Sequence, residues 1–372
     1  SIAMHVTKVM LKMGIYPDQW TYEALIQGYC KQHDMMTAKR LVESMIKVNL
    51  IPDIETFTII VKGLCDMRLV NDATILVDTL LKSDTKPCVR TFTTLLRGWC
   101  DVGDMKMAYK ILKSMIELRY EPNVWTWNAI LHGLCQQNAM RDAMNLVETM
   151  SATSDAKPNV VTLNTLVRGW CKKGDMEMAT KVFELASNMN VIPDIRSYTT
   201  LIRGWCEKGC EDRAIEVMER MKAAGVRPNV VTLNTLIRSY CKDRNMRAAM
   251  SLLGTMRRTR LRPNDRTYNT LMQGWIELKK MDRAMDLFKQ MKRNRDTRPD
   301  VVTYNLLITG WAREMRRMDM AEKVMKNLMN DRDVSPNVRT FGALISGYNF
   351  LFHEDRNYRI ERMYYWLCRM RD

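Results

Sequence analysis

Apolar residues recur along this chain in a helical rhythm that resets every thirty-five positions or so. In 195–229, Tyr198, Leu201, Ile202 and Trp205 fall at i, i+3, i+4 and i+7. At ~100° per residue they share one face of a helix. A second helical series follows, carrying Ala214 and Met221. Between the two lies a short polar turn, and after the second comes a proline, which blocks further helix. The pattern predicts two helices per unit.

The prolines set the phase. All ten of them, at 17, 52, 87, 122, 158, 193, 228, 263, 299 and 336, are spaced 35 to 37 residues apart. The phrase PNVVTLNTL occurs at 158–166 and again at 228–236, two periods later. A fixed period of this size marks stacked units rather than separate globular domains. With position 1 set two residues after each proline, the units run 19–53, 54–88, 89–123, 124–159, 160–194, 195–229, 230–264, 265–300, 301–337 and 338–372. The last is degenerate, and 1–18 reads as the second half of a truncated repeat. No unit can bury its apolar stripe alone, so neighbours must stack. The expected fold is all-α: a right-handed α-solenoid of tandem helix-turn-helix repeats, without strands.

Several positions are nearly constant. Position 3 is Thr or Ser in every unit, the residue types that open helices as N-caps. Position 10 is usually Gly, as in Gly28, Gly63, Gly98, Gly169 and Gly204, which suggests close helix-to-helix approach. Turns such as Gly103-Asp104-Met105 and Gly174-Asp175-Met176 supply an Asp that can cap the second helix.

Composition narrows the function. With 58 Lys and Arg against 42 Asp and Glu, the formal charge is +16, which favours an anionic partner, nucleic acid or membrane surface. No run of ~18 apolar residues exists to cross a bilayer, and no targeting peptide is visible. Seven of the ten cysteines (Cys30, Cys65, Cys100, Cys135, Cys171, Cys206, Cys241) fall at position 12, one per unit, as small packing residues fit for a reducing compartment. Cys206 and Cys210 have no His beside them, so no metal is expected. His5, His33, His132 and His353 form no motif, and no phosphate loop or zinc-protease signature occurs. Neither a cofactor nor a catalytic role is expected.

The face opposite the stripe is expected to carry positions 2, 5, 9 and 13 of the first helix. Position 9 presents Lys62, Arg97, His132, Arg168, Arg203 and Arg238 in successive units. A solvated helix face is one reading of such a row; an anion-tracking groove is the other, favoured by the absence of any acid in it. Position 5 is Asn in five units and Thr in three. The residue after each proline is Asp or Asn in every unit boundary but one, where it is Cys88. Turn formation and capping account for Asn and Asp there. With position 3 able to supply the cap, these side chains are instead free to offer a varying donor and acceptor pattern of the kind that distinguishes bases.

The phrase PNVVTLNTLVRGWCKKGDM, and the unit from Val301 to Asn337, resemble the pentatricopeptide repeat family in its plain 35-residue (P-type) class. The resemblance covers essentially the whole chain. It implies single-stranded RNA as partner, one base per repeat, chosen by position 5 and the residue after proline, with position 2 against the base faces. Carried onto this chain, Thr93 with Asn123 implies A, Asn128 with Asn159 C over U, and Asn164 with Asp194 U. Thr199 with Asn229 implies A, Asn234 with Asn264 C, Asn269 with Asp300 U, and Asn305 with Asn337 C. The implied target is A-C-U-A-C-U-C, each C exchangeable with U. Position 2 supplies Trp20, Arg90, Trp125, Val161, Arg196, Val231, Arg266 and Val302 for base contact. Lys62, Arg97, Arg168, Arg203 and Arg238 are the phosphate candidates. The family works mostly in mitochondria and plastids, which implies a role in transcript processing, stability or translation. The alternative is a structural subunit of an organellar ribosome or another RNA-containing assembly.

Overall fold

The computed structural model describes residues 10, 13, 16–48, 50–82, 86–152, 156–186, 189–294, 297–331, 333–349 and 356–371. Among these, every regular element is a helix. Most of the half-repeat expected at 1–18 lies outside the described residues. First helices begin at Gln19, Ile54, Val89, Val124, Val160, Ile195, Val230, Asp265, Val301 and Val338, the first position of each unit.

Position 3 is not the N-cap that its residue type suggests. The residue after each proline is. Asp18, Asp53, Asn123, Asn159, Asp194, Asn229, Asn264, Asp300 and Asn337 each accept the position-3 backbone N–H on Oδ1, at 2.8–3.1 Å. These residues are extended, with ψ near 180°, as a cap must be. Such a cap contributes ~1 kcal/mol. The proline before it ends the previous unit, so the helix starts three residues earlier than a position-3 cap would allow. The position-3 hydroxyls lie inside the first turn and, from Thr56 to Thr340, are fully buried.

Second helices start from their own caps. Asp34, Asp104, Asp175 and Asn245 accept an N–H three residues on at 3.0–3.2 Å. The turn before them needs one left-handed residue. Gly103 (φ 93°) and Gly174 (φ 84°) supply it freely. Arg68 and Lys279 stand at the same place with φ 63° and 58°.

The chain forms two compact units, Ser1–Pro193 and Asp194–Asp372. In each, consecutive first helices stack side by side, and each second helix packs against its own first helix and the next one. Wherever Ala occupies position 20 it is fully buried, from Ala38 to Ala284, which leaves room for the neighbouring backbone. Position 10 shows why glycine recurs. A methyl added at Gly98 would lie 2.5 Å from Cys65 Sγ, and one at Gly63 would lie 2.7 Å from Cys30 Sγ. Cys30, Cys65, Cys100, Cys135 and Cys241 thus each fill the space that the glycine of the next repeat leaves. Burial pushes the thiols of Cys65, Cys100, Cys135 and Cys241 up to about 12, so at neutral pH they pack as neutral groups.

The unit at 301–337 carries one residue more than its neighbours between Gly310 and the start of the second helix at Met318. The first helix absorbs it as a π-helical turn, Gly310–Glu314, and the second helix resumes in phase with Ala321 and Leu328 buried.

Candidate nucleic-acid interface

The exposed side of the first helices carries three rows. Position 2 projects outward: Trp20 is 80% and Trp125 69% exposed, and Arg90, Val161, Arg196, Val231, Arg266 and Val302 are exposed as well. Position 9 is the second row. Lys62, Arg97 and Arg168 are exposed in the first unit, Arg203 and Arg238 in the second. Position 5 lies between these rows but is not open like them. Thr58, Asn128 and Thr199 are 6 to 7% exposed, and Thr93, Asn164, Asn234, Asn269 and Asn305 are half-buried. The expectation that position 5 shares the solvent face is corrected: it sits in the seam between stacked first helices.

What holds it there is a relay of hydrogen bonds into the next repeat. The Thr162 hydroxyl donates to Asn128 Oδ1 at 2.7 Å. Thr267 donates to Asn234 at 2.7 Å, and Thr303 to Asn269 at 2.8 Å. Each of these threonines also accepts the N–H of its own cap residue, at 3.1 to 3.3 Å. The other end of the amide turns toward that cap: Asn128 Nδ2 to Asn159 Oδ1 is 3.4 Å, Asn234 to Asn264 3.2 Å, and Asn269 to Asp300 3.4 Å. Where position 5 is Thr, two hydroxyls meet instead. Thr93 and Thr126 are 2.9 Å apart, as are Thr199 and Thr232. At the Asn128, Asn234 and Asn269 seams, position 5 and the residue after proline are therefore one linked group. At the last seam the relay is incomplete, and Asn305 Oδ1 is buried without a hydrogen-bond partner.

Charge is uneven along the rows. Glu55 at position 2 pairs with Arg90 one repeat on, at 2.8 Å. Asp101 at position 13 draws Arg97 to 3.8 Å and His132 Nδ1 to 3.6 Å. Desolvation holds the His132 imidazole below its ordinary value against the opposing pull of Asp101. It is therefore neutral at pH 7, and the ladder has a gap in the fourth repeat. Arg168, Arg203 and Arg238 have no ion pair among the described residues. The acids at position 13 belong to the same exposed face, yet only their packing shows which cations they neutralise. Among the described residues no cluster of metal-ligating side chains occurs, and no helix is long and apolar enough to cross a membrane.

The comparisons with known proteins agree with this architecture. The PPR repeat family model matches residues 17–66, 87–136, 158–207, 193–238, 228–275, 266–313 and 299–349, and a single PPR repeat matches 125–152. The crystal structure of the maize pentatricopeptide repeat protein PPR10 is similar at 18% identity and a TM-score of 0.50, over 98% of this chain and 60% of that one. PPR10 in complex with an 18-nt psaJ RNA element is similar at 21% identity and a TM-score of 0.60, over 94% of this chain and 55% of that one. The chain thus spans 55 to 60% of the length of the PPR10 structures that it matches. No curated protein matches the sequence. With seven family matches, six of them beginning at a proline, and helix pairs that stack throughout each unit, the chain belongs to the pentatricopeptide repeat family.

Proposed function

We propose that this protein binds single-stranded RNA and reads one base per repeat. The observation that carries the reading is the layout of each seam. In the repeats at 89–123, 195–229 and 230–264, a polar position-5 side chain held by the threonine of the next repeat lies between an outward position-2 side chain and a position-9 arginine. Stacking, hydrogen-bond readout and phosphate contact are the three interactions by which single strands are held. PPR10, whose fold this chain shares, is a protein solved with a bound RNA element.

On this reading the repeats at 89–194 specify A-C-U and those at 195–337 specify A-C-U-C, each C exchangeable with U. The chain acts as a binding protein rather than an enzyme. Its place of work is a mitochondrion or plastid, where it serves transcript processing, stability or translation. The alternative, a structural subunit of an organellar ribosome or other ribonucleoprotein, draws on the end repeats. Glu23, the Thr58–Cys88 pair and Gly342 provide no reading pair of the same kind.

Titration of A-C-U-A-C-U-C over a range of salt tests the binding mode. The five position-9 cations predict a slope of log K against log salt of roughly −3 to −4, at ~0.7 per phosphate contact. Arg168→Ala flattens the slope by less than ~1 unit and weakens all sequences alike. A slope near zero, or equal affinity for duplex RNA, contradicts a groove that tracks one strand.

A further inference from the structure

Residues 242–298 carry sixteen Lys and Arg against six Asp and Glu, ten of the sixteen net charges in a short part of the chain. Only Lys242 and Arg266 among them belong to the position-2, -9 and -13 rows. Seven of the other fourteen gather where second helices end and run into the next proline. Arg257, Arg258, Arg260 and Arg262 lie there in one repeat, and Lys292, Arg293 and Arg298 in the next, all exposed.

The two ends lie side by side. Arg257 Nη2 donates to Gln290 Oε1 at 3.0 Å on the following second helix and to Tyr268 Oη at 3.4 Å. Arg298 pairs with Asp333, one loop further on. Lys292 lies over Phe288 and Tyr304, 5.1 and 5.8 Å from the ring centres. Arg257, Arg258, Arg260 and Arg293 have no acidic partner among the described residues. Compensation of the helix dipole accounts for cations in a last turn, such as Arg257, Arg258, Lys292 and Arg293. It does not account for Arg260 and Arg262, which lie beyond the helix.

The chemistry of this rim selects its partner. Between Val231 and Val302 no large apolar side chain is exposed among the described residues. Protein interfaces draw their energy from buried aromatic and aliphatic anchors, whereas phosphate backbones are held by cations alone. The rim is also separated from the position-9 row by about nine helical residues, or ~13 Å. One strand has one backbone, which on the proposed function follows the position-9 row as far as Arg238. We propose that this rim binds the phosphates of RNA flanking the read stretch, independently of sequence. The inference takes RNA as the ligand from the proposed function and adds a second, non-reading contact surface.

The test compares the heptamer A-C-U-A-C-U-C with the same heptamer carrying fifteen-nucleotide oligo-A flanks. Wild type binds the flanked RNA roughly tenfold more tightly, with a salt slope steeper by ~2 to 3 units for four further phosphate contacts. A variant with Arg257→Gln, Arg258→Gln, Arg260→Gln and Arg293→Gln binds both RNAs equally and keeps the wild-type affinity for the heptamer. The four corresponding Lys substitutions retain the gain, which separates charge from folding. Arg203→Ala with Arg238→Ala weakens both RNAs and preserves their ratio. No gain from the flanks in wild type, a gain retained by the Gln variant, or competition by polyglutamate as effective as by flanking RNA overturns the proposal. A rim-dependent affinity for flanked RNA that does not depend on the heptamer's sequence keeps the rim and removes base reading, so the two failures are distinguishable.

Discussion

Threonine at position 3 serves several partners at once. Thr232 gives its backbone N–H to the cap Asn229 at 3.0 Å and bonds the same carboxamide through its hydroxyl at 3.1 Å. It also meets Thr199 of the preceding repeat at 2.9 Å. Replacing a buried, bonded hydroxyl by a methyl leaves these partners unsatisfied, at ~1 to 3 kcal/mol. Thr232→Val should therefore destabilise by that amount in urea unfolding. Thr235→Val removes only an exposed bond to Val231 O and should change stability by less than ~0.5 kcal/mol. Equal effects from the two would deny the relay any role in stability. His132 gives a second prediction at this scale. Desolvation holds its folded-state value below that of a free imidazole, so it is neutral at pH 7 and becomes a cation only as pH falls through that lowered value. There it fills the gap between Arg97 and Arg168. RNA affinity at fixed salt should then rise on acidification, with a slope steeper by up to ~0.7. In His132→Gln that part of the pH dependence should vanish; if it persists, another group is responsible. The same protonation works against folding, because the depressed value means that stability from this group is present above 6.5 and lost as pH falls.

Helices and their contacts were the most legible part of the sequence, because the 3.6-residue period and the proline phase carry them directly. The caps were not. Thr at position 3 and Asp or Asn after proline are both good N-cap types, and only the backbone shows that Asp194 stands outside the helix while Ser197 is within its first turn. The burial of position 5 was equally hidden. Thr199 is displaced from the apolar stripe of its own helix, but the neighbouring first helix covers it, and a single-helix projection contains no neighbour. Glycine at position 10 was legible as a close approach, though not its partner. A methyl at Gly133 would lie 2.7 Å from Met105 Sδ and 2.8 Å from Cys100 Cβ. Overpacking of this kind costs ~1 to 3 kcal/mol, against a gain of up to ~1 kcal/mol in helix propensity. Gly133→Ala should therefore be destabilising. Gly254, in the second helix Met246–Arg258, has nothing within 4 Å of the added methyl. Gly254→Ala should be stabilising by ~0.5 to 1 kcal/mol. Thermal or urea melts of the pair check the sign, and a stabilising Gly133→Ala would refute the packing account.

Within each compact unit a single design recurs: at the seams after Thr58, Thr93, Asn128, Thr199, Asn234 and Asn269, the position-5 side chain bonds the threonine of the next first helix beside the exposed rows. On the proposed function, structural and reading roles fall on one set of residues. That is why Asn at position 5, a mediocre helix former, admits a plain structural explanation as well as a functional one. The relay also shows which exchanges a seam can accept. In the repeat at 230–264, Asn234 accepts from Thr267 and turns its amide toward Asn264. Thr199, Thr232 and Asn229 form the equivalent group one repeat earlier, with a hydroxyl in place of the amide. Thr199→Asn can reproduce the Asn234 arrangement with partners already in position, so the fold should tolerate it. The most direct measurement is the titration of wild type and Thr199→Asn against A-C-U-A-C-U-C and A-C-U-C-C-U-C. One base per repeat predicts that wild type prefers the first RNA and the variant the second. Each preference should amount to ~1 to 3 kcal/mol, the scale of a single mismatch in nucleic-acid recognition. If both proteins rank the two RNAs in the same order, Thr199 reads no base, and the seam is structural alone.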